Sequence, residues 1–171
     1  MTTYNRSAAV TYAKTWALAT NSTYGRMAND CTNFVSQALH AGGWPMVGSH
    51  NFLDRAKNDQ WWFGGSMLTQ ASYTWGGAQN LYNFISRSGR GMVEFEAGAE
   101  CHERMSNIKL GDVVQMKDAG GHVYHTMMVT GLAVGDLLLS YHTSDHLDKK
   151  MSDITLSTGH RFVCWSLRDS F

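Results

Sequence analysis

Cys31 is the residue whose type and setting point most directly to chemistry. It lies in the run Asp30-Cys31-Thr32-Asn33-Phe34-Val35-Ser36-Gln37. Asp30 is a good N-cap, because its carboxylate can accept hydrogen bonds from the free N–H groups of a first helical turn. Phe34, Val35, Ala38 and Leu39 then fall at the spacing of one apolar helix face. Gly42-Gly43 is expected to stop the helix, since glycine takes the left-handed conformation without steric cost. Cys31 is thereby placed in the first turn, where unpaired N–H groups and the positive end of the helix dipole favour a thiolate. A thiolate there is a nucleophile at neutral pH; the plainer alternative is a small core residue.

A thiol nucleophile needs a base, and the histidines supply candidates. If Leu132-Ala133-Val134-Gly135 forms a hairpin loop, Gly131 pairs with Asp136 and His125 falls directly opposite His142. Directly opposed residues of an antiparallel pair share a face and can touch. His125 would then take the Cys31 proton, giving a thiolate–imidazolium pair, while His142 holds the far nitrogen of His125. A slip of one residue would place the two rings on opposite faces. The same register pairs His122 with Asp145 on the other face, which makes Asp145 the alternative third residue. His40, His50, His102, His146 and His160 read as surface or hydrogen-bonded structural histidines. The Cys31 backbone N–H is one expected oxyanion donor, with Tyr24 and Asn29 of the preceding loop as candidates for the second.

These side chains need elements to hold them. Residues 4 to about 19 read as a helix whose Ala9, Ala13, Trp16 and Ala17 make a small-residue stripe able to pack closely on the Cys31 helix. Residues 21–29 read as a loop. Residues 44–75 are the least regular and carry the only proline, Pro45, with Phe52, Trp61, Trp62, Phe63, Tyr73 and Trp75. Such rings either form core under a long excursion or line a cleft. Phe63 and Trp75 lean to core and adjacent Trp61-Trp62 to cleft; Trp61, Trp62 and Trp75 together are the candidate substrate-binding set. A second amphipathic helix is expected over 78–86, ending near Ser88-Gly89, then a short strand at 92–95. From Lys109 the period becomes 2, with strands expected at 113–116, 123–130, 136–143 and 161–167. In the last, Phe162, Cys164 and Ser166 alternate with Val163, Trp165 and Leu167. Helices followed by an antiparallel meander make an α+β arrangement, expected as a single domain over 1–171.

Composition narrows the function classes. The 171 residues are 43% hydrophobic and carry no formal net charge, which suits a globular core and gives no footprint for nucleic acid. No apolar run approaches the roughly 20 residues of a membrane span. Met1-Thr2-Thr3-Tyr4-Asn5-Arg6 shows no secretory signal, so the chain reads as made in the cytoplasm. Cys31, Cys101 and Cys164 are too sparse for a disulfide framework, although a Cys101–Cys164 bridge stays open. No cysteine pair has zinc-ribbon spacing. Nothing calls for a cofactor.

The sequence resembles the bacterial amidase 6 group of amidase domains, related to papain-like and NlpC/P60 cysteine peptidases. The resemblance rests on Tyr4-Asn5-Arg6 leading an alanine-rich helix, Asp30 to Gln37 as quoted, Ser72-Tyr73-Thr74-Trp75, and Gly111-Asp112-Val113-Val114-Gln115. It continues through His125-Thr126-Met127-Met128-Val129-Thr130 and Leu139-Ser140-Tyr141-His142-Thr143-Ser144-Asp145. It implies a papain-like fold, with Cys31 as nucleophile, His125 as base and His142 as third polar residue. It further implies amide hydrolysis in bacterial peptidoglycan peptides. An antibacterial effector exported to a rival cell's envelope by a signal-independent route, with a cognate inhibitor, is the expected setting. Two other classes compete: a non-catalytic module binding cell wall or peptide through the aromatic 61–75 segment, and a metal site of Cys31, His125 and His142.

Overall fold

A computed structural model of the chain describes residues 2–64, 70–98 and 105–171. The expected places of Cys101 and His102 lie outside these. The helices are α1 (Arg6–Trp16), α2 (Cys31–Ala41), α3 (Tyr73–Gly76) and α4 (Ala78–Ser88). The strands are β1 (Gly91–Ala97), β2 (Val113–Lys117), β3 (Val123–Ala133), β4 (Asp136–Tyr141), β5 (His146–Lys150) and β6 (Arg161–Leu167). They form one antiparallel sheet in the order β1-β6-β2-β3-β4-β5. The architecture is α+β, as expected.

Alternation along the strands divides the interior in two. On the helix side Val113, Met128, Val163, Trp165 and Leu167 meet Phe34, Val35, Leu39, Leu81, Phe84 and the rings of Trp44, Trp61 and Trp75. On the far side Val114, Met127, Val129, Leu139, Phe162 and Cys164 gather with Phe95 and Ile108. The β6 alternation therefore follows the sequence pattern.

The alanine stripe also behaves as expected. Ala9, Ala13 and Ala17 are fully buried, and α1 lies on α2. The close approach reaches Gly42, where a Cβ would meet the Tyr4 ring at 2.5 Å and Ala9 Cβ at 2.9 Å. The end of α2 departs from the expectation in detail. Gly42 has φ −76°, and only Gly43, at φ 94°, uses the positive-φ region. Gly42 is required for space and Gly43 for conformation.

The β3–β4 hairpin turns on Val134-Gly135, with Ala133 opposite Asp136. A shorter turn by itself shifts the expected register by two and keeps every side chain on its face. Thr130, however, is an extra residue: Gly131 pairs with Leu138 and Val129 with Leu139. This bulge slips the register by one beyond it, and a one-residue slip exchanges faces. Thr130 Oγ1 is secured by Ser140 Oγ at 2.6 Å and donates to Asp148 Oδ1 at 2.7 Å. The consequence falls on the two histidines.

Candidate active site

Cys31 is the first residue of α2 and only 4% exposed. A buried polar chain clamps this end of the helix to the sheet. Thr32 Oγ1 meets Thr126 Oγ1 of β3 at 2.9 Å, and Gln115 Nε2 of β2 donates to Thr126 Oγ1 at 3.1 Å. Gln115 also donates to Ala78 O at the start of α4 and accepts from Trp165 Nε1 of β6. Four elements are thereby fixed around the cysteine. The sulfur lies 3.7 Å from Thr32 Oγ1 and receives the backbone N–H groups of Thr126 and Thr32. Thr126 N is bonded to the carbonyl carbon of His125, so the sulfur sits one peptide unit from the His125 Cα.

The His125 ring turns to the far side of the sheet. It meets Tyr141 edge-on, with centroids 5.0 Å apart, and Tyr141 in turn stacks on His146 at 4.9 Å. His142 does not reach it. The Thr130 bulge sends His142 to the helix side, where it is 2% exposed and stacks on Phe34 at 4.3 Å. There Nε2–H donates to Trp16 O at 2.8 Å and Nδ1 faces Asp30 Oδ2. Both nitrogens are thus occupied, and the expected His125–His142 contact is corrected to an Asp30–His142 pair.

Asp30 departs from expectation in the same way. Its side chain caps no helical N–H. Oδ1 accepts from Met27 N at 2.6 Å and from Asn33 Nδ2 at 2.9 Å, while Oδ2 takes His142. Thr143 Oγ1 accepts from Asp30 N at 3.0 Å. The carboxylate is the pin through the loop before Cys31, the end of α1 and the β4–β5 turn.

The alternative pair is also corrected. Asp145 is held by the Arg26 guanidinium, whereas exposed His122 donates its backbone N–H to Asp118. Asn29 is exposed. The Tyr24 ring stacks on Trp75 at 5.7 Å and meets Phe63 edge-on at 5.0 Å, so it seals the loop. Trp61, Trp62 and Trp75 are all buried and give no open stacking platform. Trp61 faces the helix-side core and its neighbour Trp62 lies under His50, the two being split by the alternation of extended backbone. Trp61 Nε1 donates to Ser36 Oγ and Trp75 Nε1 to Asn33 Oδ1, bracing this segment on α2.

The resting electrostatics differ from a preformed ion pair. Burial raises the Cys31 thiol above its ordinary value, against the lowering by Thr32 and the Thr126 N–H. His125 is pushed down to about 4 from 6.5, by burial first and then by the charge of His146. The resting site therefore holds a thiol and a neutral imidazole, because desolvation penalises both charged forms. His125 should accordingly titrate near pH 4 in a proton–nitrogen NMR experiment, not near 6.5. Since the unfolded chain binds that proton first, stability should fall as pH drops from 6.5 toward 4, a slope that His125→Gln should flatten.

Thr126, Thr32, Gln115 and the Trp16 carbonyl were missed in the sequence. Gly131 inside the β3 pattern was the available signal for the bulge, since an isolated glycine in a strand often marks one.

Among the described residues no helix is long and apolar enough to cross a membrane. A protein family described as "Putative amidase domain" matches residues 3–165. Two Bacillus subtilis proteins, described as uncharacterized proteins YhbB and YjcM, are similar to the chain. YhbB is 32% identical over 139 residues, which cover 80% of this chain and 40% of its own. YjcM is 30% identical over 175 aligned residues, covering 97% and 37%. The chain thus spans about two-fifths of the length of these relatives. No solved structure matches it. With the motif from Asp30 to Gln37 inside the matched region, the chain belongs to the putative amidase domain family.

Proposed function

We propose that the protein is a cysteine-dependent amide hydrolase of papain-like arrangement acting on peptide bonds of bacterial peptidoglycan. The observation that carries this reading is the contact of Thr32 Oγ1 with Thr126 Oγ1 at 2.9 Å, which sets the residue after Cys31 against the residue after His125. For this step the His125 ring must leave Tyr141 on the far side and turn toward the sulfur. His125 then accepts the thiol proton as sulfur attacks the amide carbonyl. The carbonyl oxygen becomes an oxyanion, with the Cys31 N–H at the head of α2 as one donor. Collapse breaks the C–N bond, the imidazolium protonates the departing amine, and a thioester remains on Cys31. Water, deprotonated by His125, attacks the thioester and releases a carboxylic acid and the thiol. Neutral resting partners suit this general-base sequence, and the N–H groups around the sulfur stabilise the thiolate as it forms.

The other readings fare less well. A binding module built on Trp61, Trp62 and Trp75 lacks its surface, since those indoles are buried. A metal held by Cys31, His125 and His142 lacks a shared ligand set, since His142 lies across the sheet from His125 with both nitrogens engaged. The test is digestion of purified peptidoglycan with mass analysis of the fragments. New paired amine and carboxylate ends with wild type, absent with Cys31→Ala, are expected. Intact wall at every pH tried would end the cell-wall substrate.

A further inference from the structure

Among the described residues, Arg55 is a charged side chain with no ion-pair or side-chain hydrogen-bond partner. Its Cζ lies 4.9 Å from the Phe52 ring centroid and 4.7 Å from that of Tyr73. Its backbone is fixed, since Arg55 O accepts from Tyr73 N at 2.7 Å. The guanidinium nonetheless makes no ion pair or side-chain hydrogen bond among the described residues, and Nε is buried without a partner. Asp54, its neighbour in sequence, is turned to Lys57 and Ser49. A buried donor left unsatisfied is costly and uncommon in a folded protein.

The same guanidinium lines a cleft of about 250 Å³ with Met27, Ser72, Tyr73, Gly76 and Asn80. The cleft hangs on the head of α2. Met27 donates its backbone N–H to Asp30, the residue before Cys31. Trp75, next to Gly76, donates to Asn33. Gly76 leaves room for Met27, whose sulfur would be 2.7 Å from a Cβ there. Of the other lining residues none is charged; Ser72 Oγ is engaged with Trp62 and Thr74, and Asn80 Nδ2 donates to Asn58. Arg55 thus supplies its uncommitted charge.

We propose that Arg55 is a carboxylate receptor, so that this site takes peptides bearing a carboxylate close to the amide to be cut. Two aromatic rings lie beside the guanidinium, and its N–H fork has no acceptor among the described residues; such a fork matches a carboxylate in two parallel hydrogen bonds. That the bound peptide is a substrate rests on the hydrolase reading above; that it binds does not.

The test uses the full chain with Cys31→Ala, so that binding is read without turnover. The probes are tripeptide amides paired as Glu against Gln at the central position, in both chiralities, and trialanine as free acid and as amide. At least one acid should bind ten- to a hundredfold tighter than its neutral partner, on the order expected for hydrogen bonds to a charged group. It should also shift the Arg55 Nε–H resonance. Arg55→Met should abolish the preference, and Arg55→Lys, which keeps charge but not the fork, should retain part of it. Equal binding of every pair, a preference surviving in Arg55→Met, or an unmoved Nε signal would overturn the proposal. Should Arg55→Met not fold, the Nε signal decides alone. Turnover by the Cys31→Ala protein would instead sink the hydrolase reading and leave the receptor standing.

Discussion

Asp30→Ala should lower folding stability by about 3–5 kcal/mol, because it strands several buried hydrogen-bond partners at about 1–3 kcal/mol each. Asp30 is 1% exposed and His142 2%. Truncation would strand the His142 Nδ1, the Met27 N–H and the Asn33 amide together. Asp30→Asn, which keeps an acceptor oxygen for part of this set, should lose less. The measurement is the urea midpoint at constant m-value. A double-mutant cycle with His142→Phe should show strong coupling, because the two residues share one hydrogen bond. If His142 instead served as the third catalytic residue, changing it would lower turnover and leave the midpoint near wild type. A loss under 1 kcal/mol for Asp30→Ala would remove the pin from the account.

Cys31→Ala and His125→Ala should each reduce kcat/KM by on the order of a thousandfold or more in a protein that still folds. The nucleophile and its base act as one unit, so the double variant should be little worse than either single one. The pH profile separates a neutral resting pair from a preformed ion pair. With His125 at about 4, the acid limb of kcat/KM should fall near that pH and the rate should be flat through neutrality. Alkylation of the resting thiol should be slow at neutral pH, because burial holds it protonated. Tyr141→Ala should matter more to His125 than His142→Phe, since Tyr141 is the ring against which His125 packs.

Much of the scaffold was legible because it obeys simple periods. The Phe34, Val35, Ala38, Leu39 face of α2, the alanines of α1 and the alternation of β6 each follow from where water is excluded. β5 was missed for the converse reason. His146–Lys150 is an edge strand that keeps most of its side chains at least partly in water, so it leaves no apolar pattern. Cys31 and His125 were legible as single residues, but their environment was not. Propensity gives Asp30 a capping role that a tertiary partner, His142, overrides. The histidine register depended on one inserted residue, Thr130, whose place is set by Asp148 from β5, the strand the sequence pattern did not reveal. The buried Trp61-Trp62 pair failed for a related reason: neighbours in extended backbone face opposite ways, and here both sides are covered.

The most direct test of the central claim is rapid quenching of the wild-type protein during peptidoglycan digestion, followed by peptide mapping. The account predicts a thioester, equal in mass to the acyl half of the cut amide, on the peptide containing Cys31. It predicts that none forms in Cys31→Ala, which makes no product. An acyl group on another residue, or wild-type turnover by Cys31→Ala, would contradict it.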